Sequence, residues 1–250
     1  MGLRKKSIKL KSRLTDKIAE IDLSSLGLFQ GARVLDIGCA RGFTMIELAK
    51  RDCRVFGIEV LRHLAKEASG NLNRNEVIGI IINGSADSLP FPNYFFDALI
   101  CTEVIEHVPN AEEVLSEIHR VLRPGGRLCL SLPTWFTERL FLFLDHNFAT
   151  FSGHLRIFRP GEMKKLLESQ GFKILKVSKH YFEWSVYWLF RTLFLKTEPS
   201  FYEGARKYER LDYSYKRMWR AIDKLMIGQL VKLIGNCIFP KSHYFYCLRP

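Results

Sequence analysis

Two acidic residues and two histidines occur at spacings that suit proton transfer or metal binding. Glu103, Glu106 and His107 stand at positions i, i+3 and i+4, so one helical turn would place all three side chains on one side. His154 opens a later stretch, residues 154–158. Carboxylates and imidazoles can remove a proton from a hydroxyl, and they can also hold a divalent ion that acidifies it. These residue types are compatible with both kinds of chemistry.

A glycine-rich turn lies between an apolar stretch and an expected helix. Residues 34–37 contain the aliphatic side chains that a buried parallel strand needs. Gly38 and Gly42 lack the Cβ atoms that would hinder a tight turn and a close ligand. A helix from residue 43 to about residue 50 would point its N-terminal amides at that ligand. The segment therefore predicts a nucleotide-like ligand, although many nucleotide-binding folds share such a turn.

Four further apolar stretches continue this pattern along the chain. Glu59 ends the first of them, where related folds place an acid on ribose hydroxyls. Strands and helices alternate at the spacing of βαβ units, which predicts a parallel sheet with right-handed crossovers. The expected elements are strands at 54–59, 77–83, 97–101 and 127–132, with a helix over 111–122 that ends before Pro124-Gly125-Gly126.

An ordered set of motifs runs along the chain: Val34–Gly42, Glu59, Ala86-Asp87, Phe96-Asp97, Glu103–His107 and Leu122–Gly126. This set resembles that of class I S-adenosylmethionine-dependent methyltransferases, including the methyltransferase type 11 group and the ubiquinone-biosynthesis O-methyltransferases. The resemblance covers roughly residues 30–180 and implies an α/β fold. That fold is a Rossmann-like seven-stranded sheet of order 3-2-1-4-5-7-6, with strand 7 antiparallel and, in this chain, a helical insertion between strands 6 and 7.

The resemblance also assigns roles around the glycine turn. Asp36 would hold the methionine amino end of S-adenosylmethionine. The backbone of Gly38, Ala40 and Gly42 would pass beneath its ribose and carboxypropyl chain. Ala40 departs from the family, which has a glycine there, but one methyl group is compatible with cofactor binding.

Residues at later strand ends would bind the rest of the cofactor. By the resemblance, Glu59 would accept both ribose hydroxyls, a bidentate role that suits a carboxylate. Asp87 would accept the adenine amino group beside the Ala86 amide, and Glu103 would line the cofactor. The alternative is that Glu59 and Asp87 are solvated acids at the ends of strands.

The Glu-x-x-Glu-His group resembles two metal-using groups within the superfamily. They are the ubiquinone-pathway catechol O-methyltransferases and the small-RNA terminal 2′-O-methyltransferases, and the latter add a downstream histidine. This resemblance implies a divalent metal on Glu103, Glu106, His107 and His154. In other similar methyltransferases Glu103 lines the cofactor and His107 is a base or a helix-start residue. We predict His107 and Glu106 as catalytic residues and favour a site without metal.

Length and cysteine usage bound the class of protein. A chain of 250 residues suits one large α/β domain with additions. The six cysteines include no Cys-x-x-Cys pair, and four of them fall in or beside expected strands: Cys39, Cys53, Cys101 and Cys129. Such thiols act as small apolar side chains, which predicts a reducing compartment.

No continuous apolar stretch follows the basic N-terminus, so we expect no signal peptide. We therefore expect a cytoplasmic protein, which would be peripheral to a membrane if it contacts one.

The charge favours an acidic partner. A formal net charge of +12 suits a nucleic acid, an anionic membrane or a phosphorylated substrate. The basic residues concentrate at the two ends of the chain, and a solvated tail is the alternative for the first group. They are Arg4, Lys5, Lys6, Lys9, Lys11 and Arg13, then Arg206, Lys207, Arg210, Lys216, Arg217, Arg220 and Lys224.

The second half of the chain adds elements to the expected core. Residues 135–144 are apolar and lie where the family places part of a lid. A helix over 160–170, strand 6 over 172–177 and strand 7 over 244–248 would leave about sixty residues inserted between the last two strands. We predict four parts: a basic N-terminal extension and helix (1–28), the cofactor-binding core (29–180), a helical aromatic-rich lid or insertion (181–242) and the final core strand (243–250).

The insertion predicts two helices with apolar stripes. The first, over 182–195, would carry Phe182, Ser185, Val186, Leu189, Phe190, Leu193 and Phe194 on one face. The second, over 215–233, would carry Tyr215, Met218, Trp219, Ile222, Leu225, Met226 and Gln229. The helices either pack together and cap the domain, or form a lid over an apolar pocket or in a membrane interface.

The sequence as a whole predicts an S-adenosylmethionine-dependent methyltransferase. We expect a small apolar or amphipathic acceptor, methylated at oxygen, because the expected lid is rich in aromatic residues. The alternatives are a metal-assisted RNA 2′-O-methyltransferase and a non-catalytic cofactor-binding scaffold at a membrane or protein partner. The charge and the Glu-x-x-Glu-His group favour the former, but no RNA-binding module is recognisable.

Overall fold

The computed structural model describes residues 17–18, 21–145, 148, 152–194, 209–222 and 225–250. A seven-stranded sheet forms its centre, and a two-residue pair, Lys17–Ile18 with Ile21–Asp22, lies apart from it. The strands of the sheet are β1 (Arg33–Ile37), β2 (Arg54–Glu59), β3 (Gly79–Asn83), β4 (Phe96–Thr102), β5 (Leu122–Pro133), β6 (Lys173–His180) and β7 (Ser242–Leu248).

The strand order confirms the predicted fold class. It runs β3-β2-β1-β4-β5-β7-β6, with β7 antiparallel to both of its neighbours and the remaining pairs parallel. The central strands β1 and β4 are covered on both faces, which is why they read as continuous apolar stretches. Val34, Leu35, Leu99 and Ile100 have no exposed surface.

Three helices connect the parallel strands. They are α1 (Phe43–Ala49), α2 (Arg62–Arg74) and α3 (Ala111–Val121). The N-terminus of α3 is capped by the Asn110 side chain, which accepts a hydrogen bond from the Glu113 amide. Val114, Leu115 and Ile118 turn one face of α3 into the core.

The second half of the chain contains α4 (Trp135–Leu144), α5 (Glu162–Ser169), α6 (Phe182–Phe194), α7 (Glu209–Ile222) and α8 (Met226–Ile238). The last three lie between β6 and β7, so the expected helical insertion at this place is confirmed. Within the described part of the chain, no helix is long and apolar enough to cross a bilayer.

The prediction of one continuous helix over 215–233 is wrong. The structure has α7 and α8 there, with Leu225 extended at the start of α8. Gly228 explains the change of direction, because a methyl group on its Cα would collide with the Ile222 carbonyl at the end of α7. A close approach of this kind between two helix ends requires glycine.

The apolar stripe predicted for the first inserted helix does not form one buried face. Val186 and Leu193 of that stripe are exposed, whereas Glu183, Tyr187 and Arg191 of α6 are buried. Arg191 lies 4.6 Å from the ring centroid of Trp188, so the guanidinium packs on aromatic surface. Polar groups that find partners inside the helical layer therefore decide which face of α6 turns inward.

The thiols follow the prediction, and part of the charge pattern lies outside the described residues. Cys39, Cys53, Cys101 and Cys129 are free and buried, as is Cys247, whereas Cys237 is exposed. The basic N-terminal residues Arg4, Lys5, Lys6, Lys9, Lys11 and Arg13 lie outside the described ranges, as do Arg206, Lys207 and Lys224. Arg217 is described, on α7, and is exposed.

Candidate active site

The glycine turn follows β1 in a left-handed backbone conformation. Gly38, Ala40 and Gly42 have φ of 70°, 45° and 75°. A side chain at Gly38 would collide with Val104, and a Cβ at Gly42 would lie 2.9 Å from Leu72 Cδ1. Glycine is therefore favoured at both positions for two reasons, the left-handed backbone conformation and the close packing of neighbouring side chains. Ala40 adopts the same region despite its Cβ, at a cost of roughly 1–2 kcal/mol.

Asp36 lies one residue before the end of β1 and is 4% exposed. Burial, and to a smaller extent the nearby Glu59 carboxylate, together raise the pKa of its carboxyl to about 7. A group with this pKa is ready to ionise when a cation approaches. Its position suits contact with a positively charged ligand group.

Glu59 ends β2 beside the glycine turn. In register, Ile37 of β1 pairs with Ile58, so the ends of the two strands lie next to each other. Glu59 Oε2 accepts a hydrogen bond from the Ala40 amide at 2.9 Å, and Oε1 accepts one from the Leu61 amide at 2.9 Å. Each carboxylate oxygen has a second lone pair, so the held carboxylate can still accept two hydroxyls.

The end of β3 brings Ala86 and Asp87 to the same edge of the sheet. Asn83, the last residue of β3, pairs with Glu59, and its side-chain amide donates to the Glu59 carbonyl at 2.8 Å. Ala86 is buried and Asp87 is half-buried a few residues further on. The four predicted cofactor segments therefore meet at the carboxyl ends of β1 to β4, where ligands bind in open α/β sheets.

Glu103 follows β4 with a φ of 53°. Its Oε1 accepts a hydrogen bond from Ser131 Oγ at 2.9 Å, and its Oε2 lies 3.0 Å from Lys241 Nζ. Burial alone would raise the pKa of Glu103, but the Lys241 ammonium and these hydrogen bonds outweigh it, so the pKa is lowered. Burial opposes the charge on Lys241 too, yet Glu103 raises the pKa of that amine. The pair is ionised on both sides.

Glu106 is 1% exposed, and neither of its carboxylate oxygens has a hydrogen-bond partner among the described residues. Burial, and then the Glu103 carboxylate, raise the pKa of Glu106 well above its ordinary value. Its backbone carbonyl accepts hydrogen bonds from the amides of Leu155 and Arg156 at 2.9 and 3.2 Å. These bonds hold the segment of His154 against the loop after β4. A buried carboxyl without a partner is costly unless it keeps a proton or meets a ligand.

The two histidines lie together, and each is held through Nδ1. His107 Nδ1 lies 3.0 Å from the Gly153 carbonyl. Because a carbonyl can only accept, this nitrogen donates and Nε2 of the neutral ring keeps its lone pair. His154 Nδ1 lies 2.6 Å from Glu138 Oε2, and the two imidazole centroids are 4.8 Å apart. Desolvation is the main reason that the pKa of His107 is lowered, with His154 adding to it.

Three of the four predicted metal-ligating residues come together. Potential ligand atoms of Glu106, His107 and His154 all lie within 4.8 Å of one another. Glu103 is outside that group, since its carboxylate is engaged by Ser131 and Lys241. One carboxylate with two imidazoles is a donor set for a divalent transition metal. Histidine ligands in such sites usually donate their other nitrogen to a carbonyl or carboxylate, as both do here.

Sequence reasoning missed three residues of this site. Glu138, on α4, holds His154, and its position as an acid within an otherwise apolar stretch was a usable signal. Ser131 and Lys241 hold Glu103, but Lys241 is 138 positions away from it along the chain. No spacing pattern connects residues so far apart.

Comparison with known proteins points to one family. A family profile described as a methyltransferase domain matches residues 35–130. The chain is 36% identical over 122 residues to 27-O-demethylrifamycin SV methyltransferase of Amycolatopsis mediterranei, with 48% of this chain and 43% of that protein aligned. It is 31% identical over 176 residues to the O-methyltransferase rstn1 of Aspergillus nomiae, with 66% and 72% aligned.

A third relative is the ubiquinone biosynthesis O-methyltransferase of Xanthomonas oryzae pv. oryzae, 32% identical over 120 residues, with 48% of each chain aligned. The chain thus spans about half the length of two of these three relatives. Among solved structures, a geranyl diphosphate methyltransferase in complex with SAM shares the fold, with a TM-score of 0.62 and 18% identity. That match covers 91% of this chain and 82% of the other.

Proposed function

Because this chain belongs to the class I S-adenosylmethionine-dependent methyltransferase superfamily, we propose that it methylates a hydroxyl of a small apolar or amphipathic acceptor. The proposal is carried by the cluster of Glu106, His107 and His154, because O-methylation must remove a proton at the place where the methyl group arrives. The relatives named as O-methyltransferases support the choice of oxygen.

We propose that the cofactor lies along the carboxyl ends of β1 to β4. Asp36 and Glu59 would hold the amino end and the ribose, and Asp87 the adenine, with Glu103 lining the site. The buried strand-end carboxylates and the backbone of Gly38, Ala40 and Gly42 support this assignment.

In the proposed reaction, bound S-adenosylmethionine would supply a methyl group to the acceptor oxygen, and the electron pair of the broken carbon–sulfur bond would go to sulfur. Nε2 of His107 would accept the proton of the hydroxyl. The orientation of His107 supports this role, since Nδ1 is held by Gly153 and the lowered pKa keeps the ring neutral and able to accept. Glu106 would bind the acceptor or return the proton, since its carboxyl has no other partner among the described residues.

Aromatic residues on and against the helix that carries Glu138 favour an apolar acceptor. Phe141 and Phe148 pack with ring centroids 5.2 Å apart, and Phe148 lies 6.4 Å from Trp188 of α6. Phe141 stands on α4, the same helix that carries Glu138. We propose that residues 181–242 act as a lid over this end of the site, excluding water from the reacting groups.

A metal-assisted reaction is the second candidate. Two observations favour it: the Glu106 carboxylate has no hydrogen-bond partner among the described residues, and Nδ1 of each histidine is held by an oxygen, which leaves Nε2 able to bind a metal ion. Glu106, His107 and His154 would hold a divalent ion, which when bound would lower the pKa of a coordinated hydroxyl. Removing metal by chelation distinguishes the candidates. Full activity in chelator supports His107 as the base, whereas lost activity restored by one added cation supports the metal site. Metal analysis by mass spectrometry gives a readout independent of turnover.

The experiment that tests the function is a transfer assay with radiolabelled S-adenosylmethionine against extracts of quinones, lipids and RNA. We expect label in an ether of a small apolar product and a loss of at least about a hundredfold in His107→Ala. His119→Gln, on α3, is the matched control and should keep the rate. Label on nitrogen or carbon, or an unchanged rate in His107→Ala, would refute the proposal.

The cofactor assignment has a separate test. Glu59→Ala should abolish binding of S-adenosylmethionine in calorimetry, because both ribose hydroxyls lose their acceptor. Glu168→Ala, at an exposed position on α5, should leave the affinity unchanged. Equal affinities in the two variants would contradict the placement of the ribose.

A further inference from the structure

Helix α8 presents an aliphatic surface to solvent. Leu233 and Ile238 are 65% and 74% exposed, and the other outward residues are Leu230, Val231, Ile234 and Cys237. No charged side chain lies among these six residues. At 100° per residue, these six positions span an arc of about 160° on one side of the helix.

The inward side of α8 is small and polar instead. Gly235 lies so close to the Phe182 ring that a methyl group there would collide with it. The Asn236 side chain accepts a hydrogen bond from the Phe182 amide at 2.8 Å, and Lys232 Nζ lies 3.1 Å from Glu183 Oε1. Helix α8 therefore turns Lys232 and Asn236 to the protein and six aliphatic or thiol side chains outward, whereas a surface helix in water usually turns its apolar side chains inward.

Helix α6, beside it, also exposes aliphatic residues. Its buried residues include Glu183, Tyr187 and Arg191, while Val186 and Leu193 are exposed. Two adjacent helices of the insertion therefore both present aliphatic side chains to solvent. Exposed aliphatic surface of this extent marks a site of interaction.

We propose that the outward face of α8 docks into the interface of an anionic lipid bilayer. Thirteen residues span about 20 Å as a helix, shorter than the roughly 30 Å of a bilayer core, so α8 would lie in the plane of the membrane. The formal net charge of +12 adds attraction to an anionic leaflet.

The chemistry of the face favours lipid over a protein partner. Protein interfaces combine apolar area with about one hydrogen bond per 100–200 Å² and are enriched in aromatic residues and arginine. The six outward residues of α8 are four leucine or isoleucine side chains, a valine and a cysteine, so a partner protein would find almost nothing to hydrogen-bond. Hydrocarbon requires no such groups.

The test is flotation of the full-length protein with vesicles of phosphatidylcholine and phosphatidylglycerol. We expect binding that Leu233→Gln/Ile238→Gln weakens by about tenfold or more in partition coefficient. The matched control is Ile78→Gln/Ile80→Gln, on exposed apolar residues at and beside the β3 edge of the sheet, with Ile78 97% exposed. This control should bind vesicles as the unaltered protein does.

Cys237 supplies a second measurement, because it is exposed on α8 while the other five thiols are buried. An environment-sensitive fluorophore on Cys237 should shift to shorter wavelength when vesicles are added. Absent flotation, equal flotation of the two double variants, or an unshifted fluorophore would overturn the proposal. So would a dimer in light scattering that Leu233→Gln/Ile238→Gln converts to monomer without change in flotation, since a second copy would then cover α8. Retained S-adenosylmethionine affinity in the variant separates this test from any failure of the methyltransferase site.

Discussion

At the scale of single residues, the site depends on carboxyl groups kept in unusual surroundings. Asp36 and Glu106 are both buried, and in both cases burial raises the pKa. Glu103 is the opposite case, because Lys241 lowers its pKa. The surroundings, rather than the residue type, therefore decide protonation: the pKa is raised for Asp36 and Glu106, which favours the protonated form, and lowered for Glu103, which favours the ionised form.

The Asp36 carboxyl makes stability depend on pH. Its pKa of about 7 in the fold exceeds the ordinary value of 3.8, so the folded state holds the proton more tightly than the unfolded chain. This contribution is complete below pH 4 and is lost as pH rises to about 7, by up to about 4 kcal/mol. Urea unfolding at several pH values should therefore show the stability of the protein falling relative to that of Asp36→Asn. Parallel curves for the two proteins would contradict the assignment.

Ala40 offers a gain of stability at the glycine turn. Its φ of 45° is strained for alanine but ordinary for glycine. We expect Ala40→Gly to raise the free energy of unfolding by up to about 1 kcal/mol, after the greater chain entropy of glycine is subtracted, and to keep cofactor binding. Chemical denaturation and calorimetry measure both quantities. A less stable variant would mean that the alanine methyl makes a favourable contact that outweighs the strain.

At the scale of elements, the cofactor half was predictable, whereas for the insertion only its place and helical character were. Strands β1 and β4 are buried on both faces and β3 is an apolar strand at the edge of the sheet, so hydrophobic patterning located them, and the family resemblance implied their order. In α6 and α8 the same patterning misled, because it assumes that apolar faces turn inward. Glu183, Lys232 and Asn236 find polar partners inside the helical layer. Such partners come from tertiary contacts, which the spacing of apolar residues along the sequence does not reveal.

The contact between α6 and α8 depends on one glycine. Gly235→Ala gains helix propensity, yet its methyl group would meet the Phe182 ring, so we expect a net loss of about 1–3 kcal/mol. Gly70→Ala, inside α2 with only the flexible end of Arg74 nearby, should instead gain up to about 1 kcal/mol. Thermal unfolding of both variants checks the pair. Stabilisation by both would show that α6 and α8 can separate without cost.

At the scale of the whole molecule, the net charge of +12 does not decide between partners. The similarity to the named methyltransferases, together with the aromatic residues on and against the helix that carries Glu138, favours a small acceptor over RNA. We expect oligonucleotides to bind weakly, with affinity that falls steeply with salt, and to receive no label in the transfer assay. Salt-resistant binding with methylation of RNA would reverse this choice.

The sequence predicted more of the candidate cofactor site than of the candidate catalytic cluster. Sequence motifs predicted Asp36, Glu59 and Asp87 as cofactor residues because each lies at or just beyond the end of a strand that patterning could find. His154 was predicted from its residue type, but Glu138 and Lys241 reach the site through tertiary packing across long separations. Residues that only orient another side chain, as Glu138 orients His154, follow no recognisable spacing pattern in a single sequence.

The ion pair of Lys241 with Glu103 has a consequence for the modularity of this protein. Lys241 stands where the inserted helices rejoin the sheet, and Glu103 stands at the reacting end. A chimaera that splices out the helices together with this lysine would leave an acid without its counter-ion beside the buried Glu106. The helices can therefore be removed without stranding this charge only if Lys241 is kept or Glu103 is changed with it.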